Sequence, residues 1–445
     1  MGGRFVIVGH GPAGLSAAET LRERVPAAEI RIVSAEPYPF YSRPGLAYYL
    51  ADEVPEKRLF SRPEDHDRTL GLELVHARVE AIDPAAHTVR LADGRRLPYD
   101  TLLLATGSKA VRPDVPGIDL DGVVTLDNLP DMRHVMDVVR RARRGGSGHG
   151  GAVVVGGGIT ALEIVEGFLS RGLDTHYLVR QAHFWSSVLT ERESDLILHR
   201  LREMGTQVHA DSELVRIDGR NGRVAGIDTS RGETIPCSIV GVAVGVRPQV
   251  ELARDAGLRV DRGVLVDDGM HTSDPDIFAA GDIAQVVDRW TGRATLDILW
   301  PSAIATGLVA GANMAGAGLS YRKGPPFNVA RLAELPITII GQVGTGRADA
   351  DTVATGRGAS EVWEAQGPLL SVVVTDPPEL QRWMVRGDHI VGAVLLGDQR
   401  LSEPLRYLIE QETDITPIRA SLLTPDGNPA ATILAFAAQA RALAR

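Results

Sequence analysis

The sequence predicts an α/β protein: two doubly wound domains built on parallel sheets, followed by a smaller α+β domain. Three observations predict it. The chain opens in the order strand, glycine turn, helix, strand; the same order restarts at Ala152; and the composition changes over residues 321–326. At 445 residues the chain is also too long for one ordinary core.

The first opening has Phe5–Val8 as an apolar, buried-type strand, Gly9–Gly14 as the turn, Leu15–Arg24 as a helix and Ile30–Val33 as the next strand. The second runs through Ala152–Val155, Gly156–Gly158, a helix near Thr160–Ser170 and a strand at His176–Val179. Between them, Arg140–Arg144 is followed by a glycine-rich stretch. That run reads either as the cationic end of a helix stopped by glycine or as a basic docking patch. From Phe327 a third domain is expected, with strands at Val372–Val374 and Ile390–Leu396 and a helix at Glu403–Glu412. The boundaries that follow are residues 1–110 with 246–325, 111–245, and 326–445.

Composition removes several classes of function. Hydrophobic residues make up 44% and charged residues 23%, as in a globular protein. A net charge of −10 argues against a nucleic-acid partner. No apolar run reaches the length of a transmembrane helix. Met1 leads almost directly into the first strand, leaving no room for a signal peptide, so a cytoplasmic location is expected. A single cysteine, Cys237, excludes disulfides, CxxC pairs and cysteine-ligated clusters. Flanked by Pro236 and the apolar run Ile239–Val244, it reads as a small core residue. No metal site is expected.

Glycine is 48 of 445 residues, so chance alone supplies about half a GxGxxG match. Gly146, Gly148 and Gly151 form such a match without a strand before them. Gly9, Gly11 and Gly14 do follow a strand and open a helix, with Pro12 and Ala13 between them as further cofactor-binding candidates. There Gly9 permits the tight turn, Gly11 lets the backbone approach a pyrophosphate, and Gly14 allows close helix packing. Glu36 lies at the distance expected of an acid that binds a ribose hydroxyl. Gly156, Gly158, Ile159 and Ala161 form a second fingerprint of the GxGxxA kind. Its following strand ends in Arg180, not an acid, and a guanidinium suits a 2′-phosphate. Arg180 reads either as that contact, with His183 able to assist it, or as a surface arginine beside a solvated histidine; on the first reading NADPH is expected over NADH.

Three more segments complete a pattern. Leu102–Ser108, Val242–Pro248 and Thr272–Asp282, with the two fingerprints and in this order, resemble the glutathione-reductase-like flavoproteins that have two dinucleotide-binding domains. The resemblance implies FAD in the first domain and NADPH or NADH in the second. It places Arg43, Pro44, Val79, Ala105, Thr106, Gly107, Gly281, Asp282 and Trp300 at the FAD, and Gly245 at the nicotinamide dinucleotide. Tyr41–Pro44 and Leu299–Pro301 resemble the rubredoxin and ferredoxin reductases. Arg386–Asp398 resembles the third domain of the nitrite reductase flavoprotein.

Departures from the family sharpen the reading. The peroxide- and disulfide-reducing branches carry a cysteine where this chain has Pro44. Ferredoxin reductases often pair a lysine after that loop with the glutamate of the second fingerprint. Here Glu163 is present and Tyr48 holds the lysine position, and both stand as catalytic candidates. The expected function is electron transfer from NAD(P)H through FAD to a redox partner protein, either an iron–sulfur carrier or a reductase subunit, with a homodimer left open. Two alternatives remain. One is a quinone reductase at a membrane surface, using a terminal helix with Ile433, Phe436, Ala440 and Leu443 on one face, a face that otherwise packs on its own protein or a dimer mate. The other is a flavin-bound sensor without turnover.

Overall fold

A computed structural model describes residues 3–144, 151–288, 292–343, 369–376, 379–422 and 428–443. It falls into two compact units: residues 1–49, 54–111 and 246–323 form one, and residues 50–53, 112–245 and 324–445 the other. Gly146 and Gly148 of the chance glycine match lie outside the described residues.

The first unit is organised by a five-stranded sheet in the order Ile277–Ala279, Thr101–Leu104, Arg4–Val8, Glu29–Ser34, Glu73–His76. All pairings are parallel, so every carboxyl end lies on one edge. Strands buried on both faces must be apolar throughout, and Val6, Ile7, Ile32 and Leu102–Leu104 are at most 1% exposed. The helix begins at Pro12, three residues earlier than expected. Proline's fixed φ suits the first helical position, and its missing N–H would have had no partner there. Helix Trp300–Met314 packs on this helix at a separation only glycine permits. A Cβ at Gly307 would strike the Ala13 carbonyl, and one at Gly311 would lie 2.5 Å from the Ala17 oxygen.

The second unit repeats the parallel design, with strand order Gln207–Ala210, Thr175–Val179, Ala152–Val155, Ile239–Val242, Val123–Val124. Cys237 is 5% exposed among Val153, Leu178, Ile235 and Val240. Burial pushes its thiol up to about 12, so it carries no thiolate at neutral pH. Helix Leu129–Arg144 ends in the arginine run, where Arg140 pairs with Asp137 and Arg141 with Asp121. Those partners and the helix dipole account for the two arginines without a docking role.

The same unit contains a five-stranded antiparallel sheet in the order Phe327–Leu332, Leu335–Gly341, His389–Leu396, Glu379–Arg386, Leu369–Asp376. Helix Ser402–Glu410 packs on it, and helix Pro429–Leu443 packs in turn on that helix and on Thr416–Leu422: Ile433 and Ala437 are buried with Trp383, Leu405 and Leu408, and Phe436 and Ala440 lie against that cluster. The apolar stripe read as a bilayer-facing surface is therefore mostly a packing face, and only Leu443 is largely exposed. Among the described residues no helix is long and apolar enough to cross a membrane.

Candidate dinucleotide sites

The first glycine turn leaves Val8 at the carboxyl edge of its sheet. Gly9 has φ +117°, and a Cβ there would run into the Ala105 carbonyl oxygen. Gly14 is equally confined, because its Cβ would meet the Gly9 oxygen. Gly11 differs from both. It has extended backbone angles, φ −90° and ψ −173°, and no protein atom lies within 4 Å of where its Cβ would be. The helix behind it has no side-chain cap and no acid in its first turn. Its free N–H groups and positive dipole end are thus left for an anion.

Neighbouring segments converge on the same edge. Ala105 N–H donates to Val8 (2.9 Å), and Ala280 N–H to Leu104 (3.0 Å). Thr106 Oγ1 donates to the Gln249 carbonyl at 2.9 Å, while Gln249 Nε2 donates to Thr106 O at 2.6 Å, fixing the turn at Gly107. Asp282 accepts from Ser108 Oγ at 2.5 Å. Burial raises the Asp282 carboxyl above its ordinary range, opposed by that hydrogen bond and by the charge of Arg43. Glu36 accepts from Tyr41 Oη and from Arg43 Nη2, each at 2.6 Å. Pro44 is exposed beside Arg43. Val79 is buried at the start of strand Val79–Asp83. Trp300 is half-buried, its ring 5.9 Å from Phe40. Tyr48, on helix Gly45–Leu50, is 45% exposed.

The sequence reading missed His10. Its side chain is 3% exposed, its ring lies 6.1 Å from Phe40, and Nε2 is 3.4 Å from Asp67 Oδ1. Burial pushes the Asp67 carboxyl up, and His10 and His66 more than offset that, leaving it below its ordinary value. A histidine inside the turn was the available signal; nothing local pointed to Asp67.

In the second unit Gly156 is confined by the Ala243 carbonyl and the Ala161 side chain, while Gly158 is open within 4 Å. Helix Ile159–Ser170 again has neither a side-chain cap nor an acid in its first turn. Gly245, at φ +121°, is also open. Arg180 is exposed directly after strand Thr175–Val179. The residues present therefore fit a dinucleotide in each unit: confined glycines shape the turns, and open ones leave a cradle that a Cβ would fill.

The pyridine nucleotide-disulphide oxidoreductase profile matches residues 3–299. The chain belongs to that family. It resembles a rubredoxin-NAD(+) reductase of Pseudomonas putida at 33% identity over 282 residues, covering 63% of this chain and 71% of the relative. A probable ferredoxin reductase of Castellaniella defragrans is 34% identical over 282 residues, covering 63% and 67%. The crystal structure of the ferredoxin reductase for the CYP199A2 system from Rhodopseudomonas palustris superposes with a TM-score of 0.81 at 25% identity, covering 95% of this chain and 98% of that one. As a pyridine nucleotide-disulphide oxidoreductase, the chain is an FAD-dependent oxidoreductase that uses NADH or NADPH.

The family's disulphide chemistry needs an attacking thiolate. This member's one cysteine is buried and protonated at neutral pH. Its second fingerprint helix instead carries two acids that burial pushes up to about 7, Glu163 and Glu166. Glu166 accepts the Ala333 N–H; for Glu163 burial is the sole cause of the shift. At pH below the unfolded value of 4.5, Glu163 is protonated in both states and contributes nothing. As pH rises from about 4.5 to about 7, the unfolded chain ionises freely while the buried carboxyl keeps its proton, so stability falls across that window by up to roughly 3 kcal/mol and levels off above it. Glu163→Gln should therefore raise the melting temperature clearly near pH 8 and little near pH 5. An equal shift at both would show that the carboxyl does not titrate in this window.

Proposed function

We propose that this flavoprotein moves electrons from NADPH, with NADH the poorer donor, through FAD to a separate protein, an iron–sulfur carrier or a reductase subunit. The observation that carries the reading is a pair of uncapped, open glycine turns in a chain whose only thiol is buried. When bound, FAD supplies two-electron acceptance and one-electron release. The chain's part is placement. Gly9, Gly11, Gly14 and the helix end at Pro12 and Ala13 hold the FAD pyrophosphate, and Glu36 binds a ribose. Arg43, Pro44, Val79, Ala105, Thr106, Gly107, Gly281, Asp282 and Trp300 line the remainder. Gly156, Gly158, Ile159, Ala161, Arg180 and Gly245 hold NADPH. Glu163 and Tyr48 are the catalytic candidates on this reading.

Residues 1–110 with 246–325 form the FAD domain, 111–245 the NADPH domain, and 326–445 an interface domain that supports a homodimer. The cytoplasm, which supplies both nucleotides, is the proposed location. The names of the matched rubredoxin and ferredoxin reductases support a protein acceptor. The test compares a ferredoxin and a rubredoxin with a soluble quinone as acceptors at several salt concentrations. A preferred protein carrier whose reduction slows with salt is expected, because screening weakens steered docking. Quinone reduced far better than either carrier would overturn the reading. Failure of NADPH to bleach the flavin would favour a sensor.

A further inference from the structure

The loop after Arg180 is held from the antiparallel sheet by one buried arginine. Arg382, on strand Glu379–Arg386, is 3% exposed and makes a two-pronged ion pair with Glu193, itself fully buried. Nε reaches Oε1 at 2.7 Å and Nη2 reaches Oε2 at 3.0 Å. Nη2 also donates to the Val188 carbonyl at 2.9 Å, inside the loop.

Glu193 also caps its own helix. It is the third residue of helix Glu191–Glu203, and its carboxylate accepts the Thr190 N–H at 2.7 Å while Thr190 Oγ1 accepts the Glu193 N–H. That capping box sets where the loop ends and the helix begins. Upstream, the buried Phe184 N–H donates to Ser194 Oγ at 2.6 Å, and the Asp211 N–H reaches the Gln181 carbonyl. Trp185 sits at φ +49°, a conformation a bulky residue adopts only where its surroundings impose it. Residues 181–190 are thus a strained loop with one end at Arg180 and the other tied to Arg382.

A buried ion pair is a poor way to gain stability, since apolar residues of similar volume serve as well. What it supplies here is a fixed geometry. We propose that Arg382 is a positioning residue for the nicotinamide dinucleotide: through Glu193 and Val188 it sets the loop that presents Arg180 to the 2′-phosphate. The inference rests on the reading of Arg180 as the phosphate contact. It makes the C-terminal sheet part of the machinery that selects NADPH.

The experiment removes both charges together, in the double variant Glu193→Leu/Arg382→Met, so that no unpaired charge is left buried. Titration with NADP+ should show affinity weakened roughly tenfold, with FAD content unchanged and kcat at saturating NADPH retained. In an Arg180→Glu background the same pair of changes should have little further effect on NADP+ binding, because both act through one contact. A merely structural role would weaken NADP+ binding equally in both backgrounds. If the double variant does not fold, Arg382→Lys decides, since it keeps the charge and loses the two-pronged grip. A several-fold higher KM for NADPH at unchanged kcat supports the proposal, and an unchanged KM overturns it. If Arg180→Glu alone leaves nucleotide preference unchanged, it is the reading of Arg180 that fails. If it alters preference while the Arg382 variants bind NADP+ normally, only the positioning role falls.

Discussion

Replacing Gly11 with valine should give a folded but colourless protein. Gly11 has extended backbone angles that any residue adopts, and a Cβ there meets nothing within 4 Å beyond its chain neighbours, so the fold should accept a side chain. The side chain instead occupies the route by which a pyrophosphate reaches the uncapped N–H groups behind it. Loss of that contact should weaken FAD binding by at least roughly 100-fold, or about 3 kcal/mol. Gly9→Ala should fail differently. It forces a side chain onto φ +117° and into the Ala105 carbonyl, so the fold itself is destabilised. Flavin absorbance per chain, read beside circular dichroism and melting, separates the two. Full flavin occupancy in folded Gly11→Val would remove the first turn from the FAD site.

Much of the architecture behind these contrasts is legible in the amino-acid sequence alone. The strand–turn–helix openings are readable because their signal is local: an apolar run, glycines at fixed spacing and a helix within about 20 residues. Cys237 is readable as core for the same reason, from its flanking strand. Contacts between distant segments are not. Ser108 meets Asp282 and Arg382 meets Glu193 across 174 and 189 positions, and no local pattern specifies either pairing. The helix start at Pro12 escapes notice because the glycine spacing runs on to Gly14 through what is already the first turn. The terminal helix is ambiguous in a different way. An apolar face at Ile433 and Phe436 predicts burial but not what does the burying, and here it is chiefly the chain's own helix Ser402–Glu410.

Arg180→Glu should reverse or abolish the preference for NADPH. Arg180 is exposed at the end of its strand, and among the described residues it has no hydrogen-bond or ion-pair partner, so its guanidinium is uncommitted. A charge-assisted pair with a 2′-phosphate contributes roughly 1.5–3 kcal/mol, so the ratio of kcat/KM for NADPH over NADH should fall about 10- to 100-fold. The loss should come mainly through KM for NADPH, while glutamate, able to accept from a ribose 2′-hydroxyl, leaves NADH as good a donor or a better one. His183, the other candidate contact, should matter less. Its ring lies 3.8 Å from Glu191 and 3.9 Å from Asp195, carboxylates that would repel a phosphate brought to it. His183→Ala should accordingly leave the ratio within about twofold of the starting protein. The check is steady-state kinetics with both donors in the three proteins, supported by titration with NADP+ and NAD+. An unchanged ratio in Arg180→Glu would make that arginine an ordinary surface residue. A large loss confined to His183→Ala would move the phosphate contact to the loop beyond it.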